Sequence, residues 1–267
     1  MKRKYQVFFE ETQGTALFKQ YIWASGNSGF ALTGVGRNPQ EYPTVSIENG
    51  IDGSRAIKLE TKSTGQFGET VKMPIAAGNL FLGSFDVNNA VQKPLKATRF
   101  GLPFGKKPLQ LKGYYKYTPG TQPFKAKDKN GNTVTIPGQE DEGDIYAVLY
   151  EAAELDGKAL DGNNVLTSEN IVALARVEVE KKDECTAFHV DFHYGSRIPI
   201  DWPKFIQDQR DPSDDGTAPY LSFSEEKMKN YEYNLAVVFT SSKYGAYFAG
   251  SVGSTLCIDK VEIVCEK

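Results

Sequence analysis

Apolar and polar residues alternate with a period of two along most of the chain, and this pattern most constrains the fold. No stretch of a dozen residues shows a 3.6-residue apolar period without an interrupting glycine or proline. A period of two is typical of strands whose two faces meet different surroundings. The sequence therefore predicts a chain built almost entirely from β-strands.

Candidate strands are separated by turn-forming residues such as Thr118-Pro-Gly and Asp156-Gly. The strands are predicted over residues 7–10, 56–61, 80–85, 109–117, 145–151, 172–179, 188–194, 234–241 and 255–265. Many short strands at regular spacing are typical of an all-β sandwich. The 267 residues contain no internal repeat and no linker, so we expect a single domain over residues 1–267.

One long segment, about 195–233, does not fit the alternation. It is polar and contains four prolines. We predict an irregular excursion with a helical turn near Ser224 to Lys229. Long structured insertions in compact domains are often functional, so ligand contacts are expected here.

Charge and hydropathy exclude two broad classes of function. The chain has 31 lysines and arginines against 34 aspartates and glutamates, so we expect no nucleic-acid partner. No stretch approaches the roughly 18 consecutive apolar residues of a membrane span, so we expect none. At the start, apolar residues 7–9 are followed at once by Glu10 and Glu11, so these residues do not form a signal peptide.

Tyrosine and tryptophan are the richest signal for a ligand. The chain has 14 Tyr and 2 Trp, and these side chains stack on sugar rings while their polar edges hydrogen-bond hydroxyl groups. In one predicted strand, Lys112 and Tyr114 share a face, while Tyr115 and Tyr117 share the other. The lysine-bearing face should be in water, so Tyr114 is the more exposed candidate.

Two further aromatic residues are candidates. Tyr146 shares a strand face with Tyr150, and the alternation does not decide whether that face is open. Trp202 lies between Asp201 and Pro203 inside the excursion and is the best single candidate for an exposed aromatic. Two interpretations of Trp202 stay open, namely contact with a ligand and anchoring of its own loop.

His189 and His193 are the two histidines of the chain, and they alternate with Asp191 along the predicted strand 188–194. Positions four apart on a strand are separated by about 13 Å, so the two histidines cannot share a metal ion. We interpret the three residues as a polar strand face that could hydrogen-bond a ligand.

Acidic residues precede one of the predicted strands. Glu140, Glu142 and Asp144 lie at alternate positions, and a pair of carboxyl groups about 5 to 5.5 Å apart is what a retaining glycosidase needs. Gly143 indicates a turn, so a solvated acidic turn and a calcium site are the alternatives. The chain has no Gly-x-Ser-x-Gly motif, so covalent catalysis by serine has no support.

The two ends of the sequence resemble jelly-roll carbohydrate-binding modules. The resemblance lies in Phe9-Glu10, Trp23, Asn27, Gly29, Gly53-Ser-Arg-Ala-Ile-Lys-Leu-Glu-Thr61 and Thr255-Leu-Cys-Ile-Asp-Lys-Val-Glu-Ile263. It implies a jelly-roll β-sandwich of two mainly antiparallel sheets. Such modules frequently hold a structural calcium between the first and last strands. Carried over to this sequence, the ligands would be Glu10 or Glu11 and Asp259, with Asp52 a weaker candidate.

Most of the chain also resembles the putative carbohydrate metabolism domain family. The likeness lies in Gly78-Asn-Leu-Phe-Leu-Gly83, Gly101-Leu-Pro-Phe104, Leu111-Lys-Gly-Tyr-Tyr-Lys-Tyr-Thr-Pro-Gly120, Asp144-Ile-Tyr-Ala-Val-Leu-Tyr-Glu151, Phe239-Thr-Ser-Ser and Phe248-Ala-Gly-Ser-Val-Gly-Ser-Thr-Leu256. The resemblance implies a β-sandwich, a role in glycan handling, and export to the periplasm or cell surface of Gram-negative gut bacteria.

One function is preferred on these grounds, with two alternatives. We expect a non-catalytic domain, similar to a carbohydrate-binding module, that binds an oligo- or polysaccharide. Its ligand-binding residues would be Trp202, Tyr114, Tyr146, Lys112, His189, Asp191 and His193. The first alternative is a glycoside hydrolase or lyase that uses Glu140, Glu142 or Asp144, which would have to face a common cleft. The second is a structural surface or adhesion domain whose aromatic residues all lie in the core.

Overall fold

The computed structural model describes residues 5–8, 10–12, 18–48, 50–152, 159–210 and 216–267. Within these residues the strands pair in antiparallel fashion, which satisfies backbone N–H and C=O groups of neighbouring strands. The nineteen described strands, numbered β1 to β19 in chain order, are Glu10–Thr12, Phe18–Gln20, Trp23–Ala24, Thr44–Ile47, Ala56–Glu60, Lys62–Ser63, Ile75–Ala76, Asn79–Phe85, Thr98–Phe100, Leu102–Pro103, Pro108–Thr118, Lys125–Lys127, Thr133–Thr135, Asp144–Glu151, Ile171–Val177, Lys182–Asp191, His193–Tyr194, Tyr233–Thr240 and Thr255–Cys265.

The described helices are short. Helices α1 to α4 are Asn27–Phe30, Gly65–Thr70, Lys204–Gln207 and Glu225–Lys229. Single 3₁₀ turns lie at Ala31–Thr33, Pro39–Glu41, Ile51–Gly53, Val87–Asn89, Pro94–Lys96 and Gly245–Tyr247. Isolated helices of this length are unstable in water, so packing on the sheets holds them. None of the described helices is long and apolar enough to cross a membrane.

Two antiparallel sheets form the predicted jelly-roll β-sandwich, which is confirmed. The larger sheet has the strand order β17-β15-β14-β18-β8-β3, with β10 paired to β18 and β9 paired to β8. The smaller sheet has the order β16-β11-β19-β5-β4. Three additional two-stranded pairs are β1 with β2, β6 with β7, and β12 with β13.

The main core fills the space between the two sheets. Buried side chains from both sheets contribute to it, among them Leu111, Tyr115, Leu256 and Ile258 from the smaller sheet and Ile145, Leu149, Val237 and Phe239 from the larger. Each large apolar side chain buried in this way stabilises the fold by about 1.5–3 kcal/mol. This layer therefore supplies much of the free energy that holds the two sheets together.

Strand β11 shows the alternation directly. Tyr115 and Tyr117 point into the main core and are 4% and 2% exposed. Lys112 and Tyr114, at the positions between, are only partly buried and lie on the outer face of the smaller sheet. The prediction that Tyr114 is more exposed than its two tyrosine neighbours is confirmed.

The strand predicted over residues 188–194 is interrupted, and this corrects one expectation. Strand β16 ends at Asp191 and pairs with β11 in the smaller sheet, whereas His193 and Tyr194 form β17 and pair with β15 in the larger sheet. Phe192, between them, is buried in the main core. The chain crosses from one sheet to the other here because this apolar side chain enters the core. The expectation that His189 and His193 share one strand face is therefore wrong.

The excursion predicted over residues 195–233 contains α3 and α4 and no strand before Tyr233 among its described residues. Arg197 fixes its path, since the guanidinium donates hydrogen bonds to the backbone carbonyls of Ala218, Leu166 and Ser168. The helical turn predicted near Ser224 is confirmed as α4. There the Ser224 hydroxyl accepts a hydrogen bond from the backbone N–H of Lys227, a typical helix N-cap.

Candidate ligand-binding site

The face of the larger sheet that points away from the main core carries a continuous row of side chains. Arg176, Tyr146, Val238 and Phe81 lie side by side on β15, β14, β18 and β8, because they are direct partners in the antiparallel register. Tyr146, Val238 and Phe81 belong to a second hydrophobic cluster on this face. This outer face is therefore covered by other parts of the chain.

The covering segments leave a cavity of about 200 Å³ over this row. Its walls come from α1, α2, the 90–98 connection, the 162–167 turn and the 242–248 loop, together with Trp202 and Arg210 of the excursion. Pockets for drug-sized ligands measure roughly 300–1,000 Å³, so this cavity suits a small ligand or one part of a longer ligand.

Trp202 lines this cavity and is half-buried. It connects the excursion with the 242–248 loop. Its ring packs against Tyr244 and Tyr247, each with a centroid distance of 6.4 Å. Its indole Nε1 atom is buried and has no hydrogen-bond partner among the described residues. Because buried indole N–H groups normally have a partner, this atom is the clearest donor for a ligand oxygen or a water. Trp202 thus anchors its own segment and also forms part of the cavity wall, while its contact with a ligand stays a prediction.

Arg210 lies over the Trp202 ring and limits how a ligand can approach it. The guanidinium carbon is 4.2 Å from the ring centroid, a cation–π contact, and Nη1 donates a hydrogen bond to the Tyr247 hydroxyl at 2.8 Å. One face of the indole is therefore occupied by this guanidinium. A ligand in the cavity would meet the remaining surface of the Trp202 ring.

Asp144 and Arg176 form a two-pronged ion pair in the cavity. Arg176 Nε and Nη2 donate to the two carboxylate oxygens at 3.0 and 2.7 Å. The side chains of Asp144 and Arg176 are only 4% and 19% exposed. Burial alone would lower the pKa of Arg176, but the paired carboxylate raises this pKa overall, so the guanidinium stays charged. Among the described residues that line the cavity, Asp144 is the one carboxylate.

The other two acidic residues singled out in the sequence lie nearer the surface. Glu142 is half-exposed and forms an ion pair with Lys243, whose Nζ atom lies 2.7 Å from Glu142 Oε2. Glu140 is exposed. Burial raises the pKa of the nearby Tyr244 hydroxyl. The charges that act on this hydroxyl are those of Lys243, Glu142, Arg176 and Asp144. Glu142 and Asp144 are thus near one hydroxyl group, and each is paired with its own cation.

Asp141 holds the loop that forms one wall of the cavity. Its Oδ2 atom accepts hydrogen bonds from the hydroxyls of Ser242 and Ser254 at 2.6 and 2.7 Å and from the Ser251 backbone N–H at 2.8 Å. The residue is 2% exposed. Since the 242–248 segment lines the cavity, this buried carboxylate positions the wall without contacting the cavity itself.

Four of the seven predicted ligand-binding residues lie together on the opposite side of the molecule. On the outer face of the smaller sheet, Lys112 is the register partner of His189, and the neighbouring Gln110 is the partner of Asp191. Lys112 pairs with Glu262 at 3.1 Å, and Gln110 donates to Asp191 at 2.8 Å. Tyr114 lies on the same face.

Tyr146 and Trp202 are brought together at the cavity, on the other side of the sandwich. Tyr146 is 6% exposed, so it forms the cavity floor and is not part of an open sheet face. His193 is exposed on β17, where its Nε2 atom lies 3.2 Å from the Ser196 hydroxyl. The seven residues therefore do not form the single surface that alternation along adjacent strands led us to expect.

Both predicted calcium ligands, Glu10 and Asp259, accept hydrogen bonds from other parts of the protein. Glu10 accepts a hydrogen bond from Trp23 Nε1 at 2.8 Å. Asp259 Oδ2 accepts from the Ile51 backbone N–H and the Ser54 hydroxyl, and its Oδ1 accepts from the Lys260 backbone N–H. Within the described residues no three His, Cys, Asp or Glu side chains are grouped to hold a metal. A structural calcium stays a prediction.

Several residues of the cavity were missed by sequence reasoning. Arg176 follows an apolar run on β15, and Arg210 follows α3, so neither alternates with aromatic residues. Asp141 lies between Glu140 and Glu142, whose alternate spacing drew attention away from it. Charged residues inside or at the end of an apolar run were the available signal, because such charges are rarely buried without a partner.

Comparisons with known proteins fit this architecture. The chain is similar to a putative glycoside hydrolase from Bacteroides thetaiotaomicron, with 42% identity and a TM-score of 0.80 over 99% of this chain and 68% of that one. It is similar to a putative glycoside hydrolase from Bacteroides vulgatus, with 37% identity and a TM-score of 0.76 over 97% of this chain and 90% of that one.

More distant likenesses carry less weight. A family 11 carbohydrate-binding module from Clostridium thermocellum matches at 8% identity over 84% of this chain and 81% of that one, with a TM-score of 0.36, which is too low to support an argument. No curated protein matches the sequence. The family model described as Putative carbohydrate metabolism domain matches residues 1–264. The chain therefore belongs to the Putative carbohydrate metabolism domain family.

Proposed function

We propose that this protein binds a glycan without cleaving it, and that the cavity over the larger sheet is the binding site. The observation that carries the proposal is Trp202, which lines the cavity and whose buried Nε1–H has no partner among the described residues. A sugar hydroxyl is a suitable acceptor for this hydrogen. The family membership supports the choice of a carbohydrate ligand.

The cavity combines the groups that a sugar requires. Trp202 and Tyr146 offer aromatic surface for the C–H groups of a sugar ring. The Asp144–Arg176 pair presents fixed charges that hydrogen-bond hydroxyl groups, and these charges are held in place by each other. A few well-placed polar groups in a mainly apolar pocket are typical of small-ligand sites.

The charges along the cavity wall support binding without cleavage. Glycoside hydrolysis ordinarily uses two carboxyl groups on opposite sides of the scissile bond. Among the described lining residues Asp144 is the one carboxylate, and both of its carboxylate oxygens accept hydrogen bonds from Arg176. A carboxylate held in this way is a poor nucleophile and a poor proton donor.

Hydrolysis is the second candidate, and one observation favours it. The solved structures that are 42% and 37% identical to this chain are both described as putative glycoside hydrolases. In this chain Asp144 and Glu142 would be the pair of carboxylates, since both act on the Tyr244 hydroxyl. Release of Asp144 from Arg176 on substrate binding would be required.

The test begins with a panel of plant, host and microbial polysaccharides in affinity gels. For a retained glycan, the dissociation constant is then measured by calorimetry for the wild type, Trp202→Ala and Trp202→Phe. We expect Trp202→Ala to weaken binding at least tenfold, which is about 1.4 kcal/mol. Trp202→Phe keeps a packed ring but lacks the N–H, so an intermediate loss is expected.

Thermal unfolding of each variant shows whether it is folded at the assay temperature. Failure of the wild type to bind any polysaccharide, or equal binding by folded Trp202→Ala, overturns the proposal. Release of reducing ends from a bound glycan, abolished by Asp144→Asn, would replace it with hydrolysis. The outer face of the smaller sheet, with Lys112, Tyr114, His189 and Asp191, and export to the cell envelope are kept as separate proposals.

A further inference from the structure

The cavity has two chemically different ends. The polar end lies over β15 and β14, where Arg176, Asp144 and Trp202 are found with Lys243. The apolar end lies beyond β8, and its lining residues are Phe30, Phe67, Val71, Met73, Phe85 and Val91. All these residues line one continuous cavity, so a single ligand can contact both ends.

The length of the cavity follows from the strand order. From β15 to β8 there are three strand spacings, because the order is β15-β14-β18-β8. With about 4.8 Å between neighbouring strands, Arg176 and Phe81 are separated by roughly 14 Å along the sheet. This span exceeds one sugar ring, so a ligand that fills both ends needs a further group.

The apolar end is partly open to solvent. Phe67, on α2, is 40% exposed although it lines the cavity. Val35 borders the same helix, since a Cβ at Gly65 would lie 3.0 Å from Val35 Cγ2, and Val35 is 45% exposed. Leu32, which precedes the lining residue Thr33, is 48% exposed. Exposed apolar residues grouped beside a cavity mark a binding surface.

Aromatic rings dominate the interior of this end. Phe85 lies against α1, since a Cβ at Gly29 would be 3.0 Å from its ring. Phe30 and Phe67 supply two more rings, and Met73 adds a thioether. Phenylalanine rings and methionine sulfur both make favourable edge contacts with another aromatic ring. An aromatic group therefore fits this end better than a second sugar, whose hydroxyls would find few partners.

From this geometry we propose that the ligand is a glycan that carries an aromatic substituent, with the sugar at the polar end and the aromatic ring at the apolar end. The inference rests on the proposed function, because the polar end must hold the sugar. Because the two ends belong to one cavity, one molecule with both groups covalently linked can contact both. The exposed rim at Phe67, Val35 and Leu32 gives the substituent a way in.

The test compares the methyl and phenyl β-glycosides of glucose, galactose, mannose and xylose by calorimetry. For the sugar that binds as the methyl glycoside, we expect the phenyl glycoside to bind at least tenfold more tightly. The variant Phe67→Ser should remove most of this advantage, because it weakens binding of the phenyl glycoside more than binding of the methyl glycoside. Trp202→Ala should weaken both glycosides.

Leu109→Ser is the matched control, because Leu109 is also 40% exposed but lies on β11 in the other sheet. It should change neither affinity. Methyl and phenyl glycosides that bind equally overturn this inference and leave the proposed function intact. If phenol binds as tightly as the phenyl glycoside and no methyl glycoside binds, both this inference and the proposed function are overturned. An unchanged phenyl advantage in folded Phe67→Ser also overturns the inference.

Discussion

Burial raises the pKa of Asp141 to about 6, although hydrogen bonds from Ser242, Ser251 and Ser254 act in the opposite direction. The folded protein therefore keeps a proton on Asp141 that the unfolded chain, with an ordinary aspartate pKa, has already lost. Because the folded state binds more protons between about pH 4 and pH 6, the free energy of unfolding falls as the pH rises through this range. Above pH 6 this contribution is constant.

The variant Asp141→Asn tests this titration. An amide oxygen can accept the same hydrogen bonds without an ionisable proton, so the fall attributable to residue 141, roughly 3 kcal/mol for two pKa units, should disappear. Urea unfolding of the wild type and the variant from pH 4 to pH 7 measures the difference. Parallel pH profiles for the two proteins would contradict the raised pKa of Asp141.

The second prediction for a single side chain concerns the ion pair between Asp144 and Arg176. Replacement by Ala leaves Arg176 without its partner in a mostly buried position. We expect the free energy of unfolding to fall by about 3 kcal/mol, at the low end for broken buried pairs because Arg176 reaches the cavity. The control is Glu48→Ala, which breaks an ion pair with Arg55 in which both side chains are more than 70% exposed. Equal effects of the two substitutions in urea unfolding would contradict the importance of burial.

Strands β8 and β9 approach each other closely at Gly83, which should make this glycine sensitive to substitution. Gly83 has φ +136°, and a Cβ there would lie 2.0 Å from the Arg99 carbonyl oxygen. Since backbone cannot move aside cheaply, Gly83→Ala should destabilise the fold by about 3 kcal/mol or more. At Gly131, φ is +74° but no atom lies within 4 Å of the Cβ position, so Gly131→Ala should cost about 1 kcal/mol. Thermal unfolding distinguishes the two, and similar losses would contradict the steric explanation.

Elements with one buried and one solvated face were predictable from the sequence. Strand β19 was predicted over residues 255–265 and is observed as Thr255–Cys265. Tyr114 and Tyr115 were assigned correctly to opposite faces of β11 for the same reason. The crossing at Phe192 was missed because a strand that changes sheets keeps its period of two. The hairpin of β12 and β13 was missed because its strands have only three residues each.

The cavity was harder to predict than the strands. Both faces of the larger sheet are covered, so β14 is buried at every position and gives no alternation to interpret. Tyr146 was consequently a candidate without an assigned face. Trp202 could be singled out because it stands in a polar segment, but its proximity to Tyr146 depends on the whole path of the excursion. Residues of the cavity come together only in the folded molecule, from segments far apart in the sequence.

The two outer faces of the sandwich differ in a way that supports the cavity as the proposed binding site. The outer face of the smaller sheet carries Lys112, Tyr114, His189 and Asp191, and Lys112 and Asp191 already have protein partners. The outer face of the larger sheet carries a cavity lined by Trp202, whose buried N–H has no partner in the described part of the chain. A glycan gains more from the second face, because its hydrogen bonds there replace no existing protein contact at Trp202.

One paired titration distinguishes the two faces. The polysaccharide that binds most tightly is titrated into Trp202→Ala and Tyr114→Ala by calorimetry, with both variants shown to be folded by thermal unfolding. Binding in the cavity predicts at least a tenfold weaker affinity for Trp202→Ala and an affinity within twofold of wild type for Tyr114→Ala. The reverse pattern, with Tyr114→Ala weakened and Trp202→Ala unchanged, would contradict it and assign the glycan to the smaller sheet.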